Sequence, residues 1–377
     1  MDFFPARKLG FGLMRLPLLD PADPTSIDLE QMKSMVDTFI AEGFTYFDTA
    51  WMYHNFTSEN YVRQALTERH PRESYTLADK LHVDFVKTKE DRDAVFNEQC
   101  RKTGVSYFDY YLLHDMGVDH YQKATELDCF TWLSDKKAQG LVKHIGFSFH
   151  DSAEVLDRIL TEHPEVEFVQ LQLNYIDWES AGVQSRKCYE VSCKHGKKVV
   201  VMEPVKGGTL AFIPAAAKKL FKGYDPNASI PSWAIRFAAS LDNVMVVLSG
   251  MSNREQMQDN ISYMKDFKPL SDEEKALVLK ATDAINAGIT VPCTGCSYCT
   301  TGCPQRINIP QCFSLYNADL QEYEGKDWKP QAEYYTRMTK TRGKASDCIA
   351  CGQCEGICPQ HLHIIDELKN VAKHFEK

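Results

Sequence analysis

The feature that most constrains this sequence is a run of cysteines that occurs twice near its C-terminal end. The first run reads Cys293-x2-Cys296-x2-Cys299-x3-Cys303-Pro304, and the second repeats that spacing at Cys348, Cys351, Cys354 and Cys358, before Pro359. Nine of the thirteen cysteines lie between residues 293 and 377. Thiolates this close together can surround one metal centre, whereas disulfide frameworks are typical of small secreted chains. The pattern therefore predicts metal binding in a reducing compartment.

The spacing of both runs resembles that of the bacterial two-cluster ferredoxins, in which the fourth cysteine of each run binds the other cluster. The resemblance implies two [4Fe–4S] clusters. One is expected on Cys293, Cys296, Cys299 and Cys358. The other is expected on Cys348, Cys351, Cys354 and Cys303. A pair of zinc sites is the alternative, although zinc sites usually show two separated pairs of cysteines.

Length and charge narrow the class of protein. At 377 residues the chain is long enough for one large barrel and a smaller module. Its net charge of −9 argues against a nucleic-acid or anionic-membrane partner. Its apolar stretches are too short to span a bilayer, and its start lacks the basic and apolar regions of a secretion signal. We therefore expect a cytoplasmic protein with no nucleic-acid partner and no membrane partner.

Two periodicities alternate between residues 8 and 265. Short β-branched or aromatic runs predict strands near residues 9–13, 45–48, 75–80, 107–114, 143–149, 167–175, 198–203 and 244–249. Amphipathic patterns predict helices between them, near residues 28–43, 59–69, 90–104, 124–140, 153–163, 181–196, 231–241 and 254–265. Eight strand–helix units in this order predict a closed parallel barrel.

The predicted fold class is α/β, a (β/α)8 TIM barrel followed by a small α+β ferredoxin-like iron–sulfur domain with extra helices. The expected boundaries are 1–265 for the barrel, 266–291 for a helical connector and 292–377 for the iron–sulfur domain. A doubly wound sheet is the alternative. It is disfavoured because Gly10-Phe11-Gly12-Leu13-Met14-Arg15 lacks the third glycine of the dinucleotide fingerprint.

Four residues near the ends of predicted strands indicate one chemistry. Asp48 and Tyr53 follow the second strand, Lys80 ends the third and His114 ends the fourth. In a barrel these ends share one face. We expect the Lys80 ammonium to lower the pKa of Tyr53 and Asp48 to hold that ammonium in place. Tyr53 would then donate a proton as hydride reaches a carbonyl carbon, with His114 orienting the carbonyl oxygen.

Over residues 5–265 the chain resembles the aldo/keto reductase family, because its Asp–Tyr–Lys–His tetrad matches these four residues in order and in strand context. The resemblance implies NAD(P)-dependent oxidoreduction of a small-molecule carbonyl or alcohol substrate. Arg15, Trp51, Met52 and Trp178 are expected to line the substrate pocket.

The resemblance also implies contacts to the nicotinamide. Ser148 and Gln170 match family residues that hold the carboxamide. Phe149 stands in place of the family's asparagine, and Glu203 in place of a tyrosine that stacks on the ring.

Contacts to the rest of the cofactor are expected after the last two strands. Backbone N–H groups of Val205 to Gly208, with Lys206 nearby, are expected to bind the pyrophosphate. The expected adenosine contacts are Gly250, Met251, Ser252, Gln256 and Asn260. The family's lysine and arginine for a 2′-phosphate are missing, although Arg254 could supply the charge. NADP and NAD therefore both remain open.

The two halves of the chain handle electrons differently, because nicotinamide transfers a hydride and each cluster transfers one electron. Three hypotheses follow. The barrel reduces carbonyls and exchanges electrons with the clusters through a mediator such as a flavin. Alternatively, the barrel works alone and the clusters stabilise the fold or sense redox state. In the third, the chain is an electron-transfer protein that docks another enzyme. The basic stretch 340–344 could contact an acidic electron-carrier protein or remain a solvated charged face.

Overall fold

The computed structural model describes residues 4–179, 183–287, 289–321 and 330–376. Eight parallel strands close into a barrel in which each strand pairs with the next and the eighth pairs with the first. The strands are β1 Leu9–Gly12, β2 Tyr46–Asp48, β3 Thr76–His82, β4 Phe108–Met116, β5 Val142–Phe149, β6 Phe168–Gln172, β7 Lys198–Met202 and β8 Val244–Ser249. The predicted closed barrel is confirmed, and the doubly wound alternative is wrong.

Helices connect the parallel strands, as parallel pairing requires. Those up to the eighth strand are α1 Leu29–Ala41, α2 Ser58–Val62, α3 Lys89–Thr103, α4 Val118–Glu126, α5 Cys129–Ala138, α6 Ala153–Glu162, α7 Ser185–Lys194, α8 Ala215–Tyr224 and α9 Ile230–Ala239. The later ones are α10 Arg254–Met264, α11 Asp272–Asn286, α12 Tyr298–Thr301, α13 Ile309–Gln321, α14 Pro330–Met338, α15 Gln353–Gly356 and α16 Ile364–Phe375. Among the described helices, none is long and apolar enough to cross a membrane.

Side chains from the strands pack tightly in the interior of the barrel. Its buried side chains are Tyr46, Ala78, Tyr110, Leu112, Phe168, Val200, Met245, Val246 and Leu248. Gly146 in β5 leaves room for this packing, because a Cβ there would lie 2.7 Å from the carbonyl oxygen of Phe168. A side chain at position 146 would therefore separate β5 from β6.

The helical predictions differ from the structure in three places. The single helix expected over residues 124–140 is two helices, α4 and α5, because Asp128 between them adopts a left-handed conformation with φ of 55°. The helix expected from residue 181 begins at Ser185, and residues 180–182 lie outside the described residues. Helix α8 was not predicted.

The chain divides into two compact units. The barrel unit contains the described residues of 1–180, together with 184–204 and 231–271. The cysteine-rich unit contains residues 183 and 205–230 and the described residues of 272–377. The cysteine-rich unit therefore includes helix α8 and the turn after β7, in addition to the cysteine runs.

The cysteine-rich unit is built from short helices around its own core. Helix α13 packs against α14 and α16, and α8 packs against α11. Residues Ile307 and Gly343 form an isolated parallel bridge. The buried core consists of Val291, Cys299, Ile307, Ile309, Cys312, Phe313, Leu315, Tyr335, Met338, Ala345, Cys354, Ile364, Leu368 and Val371.

Candidate functional site

The centre of the candidate site is a buried ion pair between Lys80 and Asp48. Lys80 lies in β3 and has no exposed surface, and Asp48 ends β2 and is 2% exposed. The Lys80 ammonium donates to Asp48 Oδ1 at 2.5 Å and to the carbonyl oxygen of Thr49 at 2.7 Å. It also lies 3.4 Å from the Tyr53 hydroxyl. The strand register thus brings three of the predicted catalytic residues together.

The fourth predicted catalytic residue completes the group. The His114 ring is nearly buried in β4 and meets the Tyr53 ring edge-on, with 5.9 Å between the ring centres. Burial and the nearby Lys80 ammonium hold the pKa of His114 well below its ordinary value. A neutral imidazole therefore faces the phenol near neutral pH.

The pKa of Tyr53 departs from the expectation. Burial raises it well above its ordinary value and the Asp48 carboxylate raises it further, whereas Arg15 lowers it. The expected lowering of this pKa by Lys80 is therefore not found, because burial and then the Asp48 carboxylate raise it. The phenol stays protonated at neutral pH, which is the form that can donate a proton.

The predicted nicotinamide contacts bond to neighbouring side chains and backbone. Gln170 in β6 donates its amide to Asp48 Oδ2 at 3.1 Å. The Ser148 hydroxyl in β5 accepts from the backbone amide of Asp115 at 2.7 Å. These bonds hold both side chains at the tetrad end of the barrel, and their contact to a cofactor stays a prediction.

Glu203 follows β7 in a left-handed conformation, with φ of 56°. Its Oε1 accepts from Arg15 Nη1 at 3.0 Å. Glu203 Oε2 is buried and has no hydrogen-bond partner among the described residues. The carboxylate therefore retains one oxygen that can accept a hydrogen bond from a bound molecule.

The residues after β8 also bond to one another. The Ser252 hydroxyl donates to the carbonyl oxygen of Arg15 at 2.9 Å, and its amide donates to Gln256 at 2.7 Å. Asn260 donates to Ser249 at 2.7 Å. A Cβ at Gly250 would lie 3.2 Å from that of Arg15. Their role as adenosine contacts stays a prediction.

Of the aromatic residues expected in the substrate pocket, Trp51 packs edge-on against Phe56 and lies under the Lys102 ammonium. Trp178 packs against Tyr189 and Phe237.

The expected pyrophosphate loop belongs to the cysteine-rich unit. Lys206, Gly207 and Gly208 have φ of 49°, 64° and 98°, and Lys206 is 1% exposed. This turn lines a cavity of about 400 Å³ together with Cys293 and Asn317. The Lys206 charge acts on the Cys293 thiol. The loop thus lies beside a predicted cluster ligand within the same unit.

The cysteines expected to bind the clusters influence one another electrostatically, and their role as ligands stays a prediction. Burial raises the pKa of the Cys293 thiol to about 11, and the charges of Cys296 and Cys358 raise it further. The pKa of Cys299 is likewise raised by burial and then by the charges of Cys296, Cys293 and Cys358. Cys358 of the second run thus acts on Cys293 and Cys299 of the first, as the crossed ligand pattern requires, and Cys354 also acts on Cys299. Burial raises the pKa of Cys354 to about 11, and the charges of Cys348 and Glu355 raise it further.

Two residues beside the tetrad were not predicted from the sequence. His82 pairs with His114 in the register of β3 and β4, and their ring centres are 5.4 Å apart. The His120 ring lies 4.9 Å from that of His82. The signal for His82 was its place on β3, two residues after Lys80, so that both side chains point to the same face of the strand.

Comparison with known proteins identifies both parts of the chain. The sequence profile of the aldo/keto reductase family matches residues 8–283, and that of the 4Fe-4S dicluster domain matches residues 292–363. No curated protein matches this chain in sequence.

Solved structures similar to the barrel include an aldo-keto reductase from Klebsiella pneumoniae in complex with NADPH. It has 18% identity and a TM-score of 0.58 over 72% of this chain and 90% of that chain. The holo form of an aldo-keto reductase from Bacillus halodurans has 21% identity and a TM-score of 0.59 over 74% and 94%. At this identity the likeness concerns the fold. Because the first profile spans most of the sequence, this oxidoreductase with iron–sulfur centres belongs to the aldo/keto reductase family.

Proposed function

We propose that the protein is an NAD(P)H-dependent carbonyl reductase in which Tyr53 donates the proton, and that its cysteine runs bind two [4Fe–4S] clusters for electron transfer. The observation that carries the proposal is the Tyr53 hydroxyl at 3.4 Å from the Lys80 ammonium, which Asp48 holds at 2.5 Å. A bound nicotinamide supplies the hydride. With that hydride on the carbonyl carbon, the Tyr53 phenol would give its proton to the carbonyl oxygen, which completes the alcohol.

Each residue of the tetrad has a proposed part in that proton transfer. The Tyr53 phenol is protonated because burial raises its pKa, so it can act as an acid near neutral pH. The Lys80 ammonium stabilises the phenolate that remains after the transfer. His114 is neutral and can donate a hydrogen bond to the carbonyl oxygen without a competing positive charge. Asp48 keeps Lys80 in position.

The first cluster is proposed on Cys293, Cys296, Cys299 and Cys358, and the second on Cys348, Cys351, Cys354 and Cys303. The mutual influence of Cys293, Cys296, Cys299 and Cys358 supports the first set. Neighbouring thiols that raise one another's pKa are difficult to ionise together. The iron of a bound cluster would stabilise them as thiolates.

Coupling of hydride chemistry to the clusters needs a carrier that accepts one or two electrons. The cavity of about 400 Å³ beside Cys293 is within the size range of small-ligand sites and has the Lys206 cation in its wall. We therefore keep a flavin as the proposed mediator and an acidic electron-carrier protein as the proposed partner of the clusters.

A second candidate function is electron transfer or redox sensing, with the barrel as a docking or flavin-binding scaffold. The observation that favours it is the Arg15–Glu203 pair, because Glu203 stands where the family has a residue that stacks on the nicotinamide. This candidate differs from the first in requiring no hydride transfer at Tyr53.

Measuring NADPH and NADH oxidation with a panel of small carbonyl compounds separates the two candidates. Replacement of Tyr53 by Phe should lower kcat by roughly 10²–10⁴-fold, the usual contribution of a positioned acid. Tyr61→Phe is the matched control, because its hydroxyl donates to the Thr25 carbonyl outside the tetrad. An unchanged kcat in Tyr53→Phe would rule out the proposed acid.

A further inference from the structure

Two histidines and an aspartate form a cluster in the barrel unit that the proposed reaction does not use. His82 ends β3, Asp84 lies in the turn that follows it, and His120 lies in α4. One potential ligand atom from each residue lies within 4.8 Å of the other two. The cluster therefore brings together two imidazole nitrogens and a carboxylate oxygen from three separate elements.

The hydrogen bonding of His120 leaves its Nε2 free to act as a ligand. Its Nδ1 lies 2.6 Å from the carbonyl oxygen of Asp115 and must donate there, because a carbonyl only accepts. In the neutral ring the Nε2 lone pair then faces Asp84 Oδ2 at 3.4 Å. Two acceptors at this distance repel each other unless a cation or a proton lies between them.

His82 is held in a similar way. Its Nε2 faces Asp115 Oδ2 at 3.8 Å, and its Nδ1 accepts from the Asp84 amide at 3.2 Å. A metal bound at Nδ1 would replace that long hydrogen bond. Asp115 thus faces one nitrogen of each ring: its Oδ2 lies 3.8 Å from His82 Nε2 and 3.5 Å from His120 Nδ1, which also bonds to its carbonyl oxygen. Metal-binding histidines are commonly oriented by carbonyl and carboxylate partners of this kind.

We propose that His82, Asp84 and His120 bind a divalent transition-metal ion of the zinc or ferrous class. Two imidazoles and one carboxylate favour such an ion over calcium or magnesium, which prefer oxygen ligands alone. The Lys123 ammonium lies 3.0 Å from Asp84 Oδ1, and this leaves Oδ2 for the metal. The Asp84 side chain is 54% exposed, so the site is open to solvent and the ion exchanges.

The site lies beside the tetrad, because the ring centres of His82 and His114 are 5.4 Å apart. Binding can nevertheless be measured without turnover, so the test does not depend on the proposed reaction. The competing explanation is a plain ion pair between Asp84 and a protonated His120, which needs no metal.

The test uses the full chain with its clusters, prepared without oxygen and treated with a chelator that leaves the iron content unchanged. Zinc bound per chain is measured by equilibrium dialysis against zinc chloride. We expect His120→Ala and Asp84→Asn each to bind one zinc fewer than the wild type, with unchanged iron. Lys123→Ala should bind zinc more tightly than the wild type, because it removes the cation that competes for Asp84. Unchanged iron content in this variant excludes zinc taken up by cysteines released from a lost cluster.

His195→Ala is the matched control. His195 pairs with Asp157 at 2.6 Å, and Lys194 pairs with the same carboxylate at 2.8 Å, but no second imidazole is part of that cluster. This variant should bind zinc as the wild type does. Equal zinc binding by the wild type, His120→Ala and Asp84→Asn would overturn the proposal in favour of the plain ion pair, and so would an absence of bound zinc in the wild type.

Discussion

The buried charges of Lys80 and Asp48 set the electrostatic environment of the Tyr53 hydroxyl. Both ionic groups are buried, and each depends on the other because solvent does not reach them. Burial raises the pKa of Asp48, and the Lys80 ammonium opposes that rise. The pair therefore presents a nearly compensated charge to the phenol at 3.4 Å. Burial keeps Tyr53 protonated, as the proposed acid requires.

Replacement of Lys80 by Met should destabilise the protein by about 3–5 kcal/mol, because it leaves the Asp48 carboxylate buried without a partner. The loss of stability should grow as pH rises. Asp48 ionises readily in the unfolded chain, whereas the buried and unpaired carboxyl resists ionisation in the folded protein. The double variant Asp48→Asn/Lys80→Met should recover part of the loss. The free energy of unfolding, measured with denaturant at several pH values, checks this.

Lys33→Met is the control for this prediction. Lys33 forms an exposed pair with Glu30 at 2.7 Å, and such pairs contribute about 0–1 kcal/mol. If Lys80→Met were no more destabilising than Lys33→Met, the buried Lys80–Asp48 pair would not make the expected contribution to stability.

At the scale of elements, strand ends and the loops after them place the site residues. The strand order, and with it the convergence of Asp48, Lys80 and His114, follows from the alternation of two periodicities in the sequence. The Arg15–Glu203 pair could not be predicted, because Glu203 lies after β7 in a left-handed conformation that the strand pattern does not specify. The kink at Asp128 was missed because an aspartate in a left-handed conformation has no local signal in an otherwise continuous helical pattern.

Glu167 ties three elements together next to β6. Its carboxylate accepts from Lys137 of α5 at 2.6 Å, from the Ile145 amide of β5 at 3.0 Å and lies 3.0 Å from His144 Nδ1. Although burial opposes ionisation, these contacts lower the pKa of Glu167 to about 2, from an ordinary value of 4.5. The carboxylate thus stabilises the barrel in its ionised form.

Because the folded-state pKa of Glu167 is depressed, its contribution to stability is present above about pH 4.5 and is lost as pH falls toward about 2. The variant Glu167→Gln should be less stable than the wild type at pH 7, and its stability should fall less steeply between those pH values. Thermal unfolding as a function of pH measures both. If the stability of the two proteins fell equally steeply with falling pH, the contacts assigned to Glu167 would be contradicted.

At the scale of the whole molecule, two units with separate cores share one chain. The cysteine runs were sufficient to predict an iron–sulfur domain, because their spacing is specific. The extent of that unit was not predictable. Residues 205–230 follow the barrel strand β7 in sequence, yet they belong with the cysteine-rich unit. Lys206 therefore lies near Cys293, almost ninety residues later in the chain, a proximity that sequence spacing cannot reveal.

Replacement of Lys206 by Met should lower the reduction potential of the cluster bound through Cys293, because loss of a nearby positive charge disfavours the more negative reduced state. For a one-electron couple, a tenfold change in equilibrium is about 59 mV. A redox titration followed by electron paramagnetic resonance should show the shift in one cluster. Lys218→Met, on the exposed side of α8, is the control, and equal potentials in all three proteins would exclude this role.

A carbonyl-reducing tetrad and two iron–sulfur clusters are proposed to operate on one polypeptide. The most direct test is the absorption spectrum of the protein purified without oxygen, recorded before and after NADPH or NADH and again after a panel of small carbonyls. We expect cluster absorption with about eight iron per chain, and loss of the reduced-nicotinamide band once a suitable carbonyl is added. Zinc in place of iron, or a nicotinamide band that persists with both cofactors and every carbonyl, would contradict it.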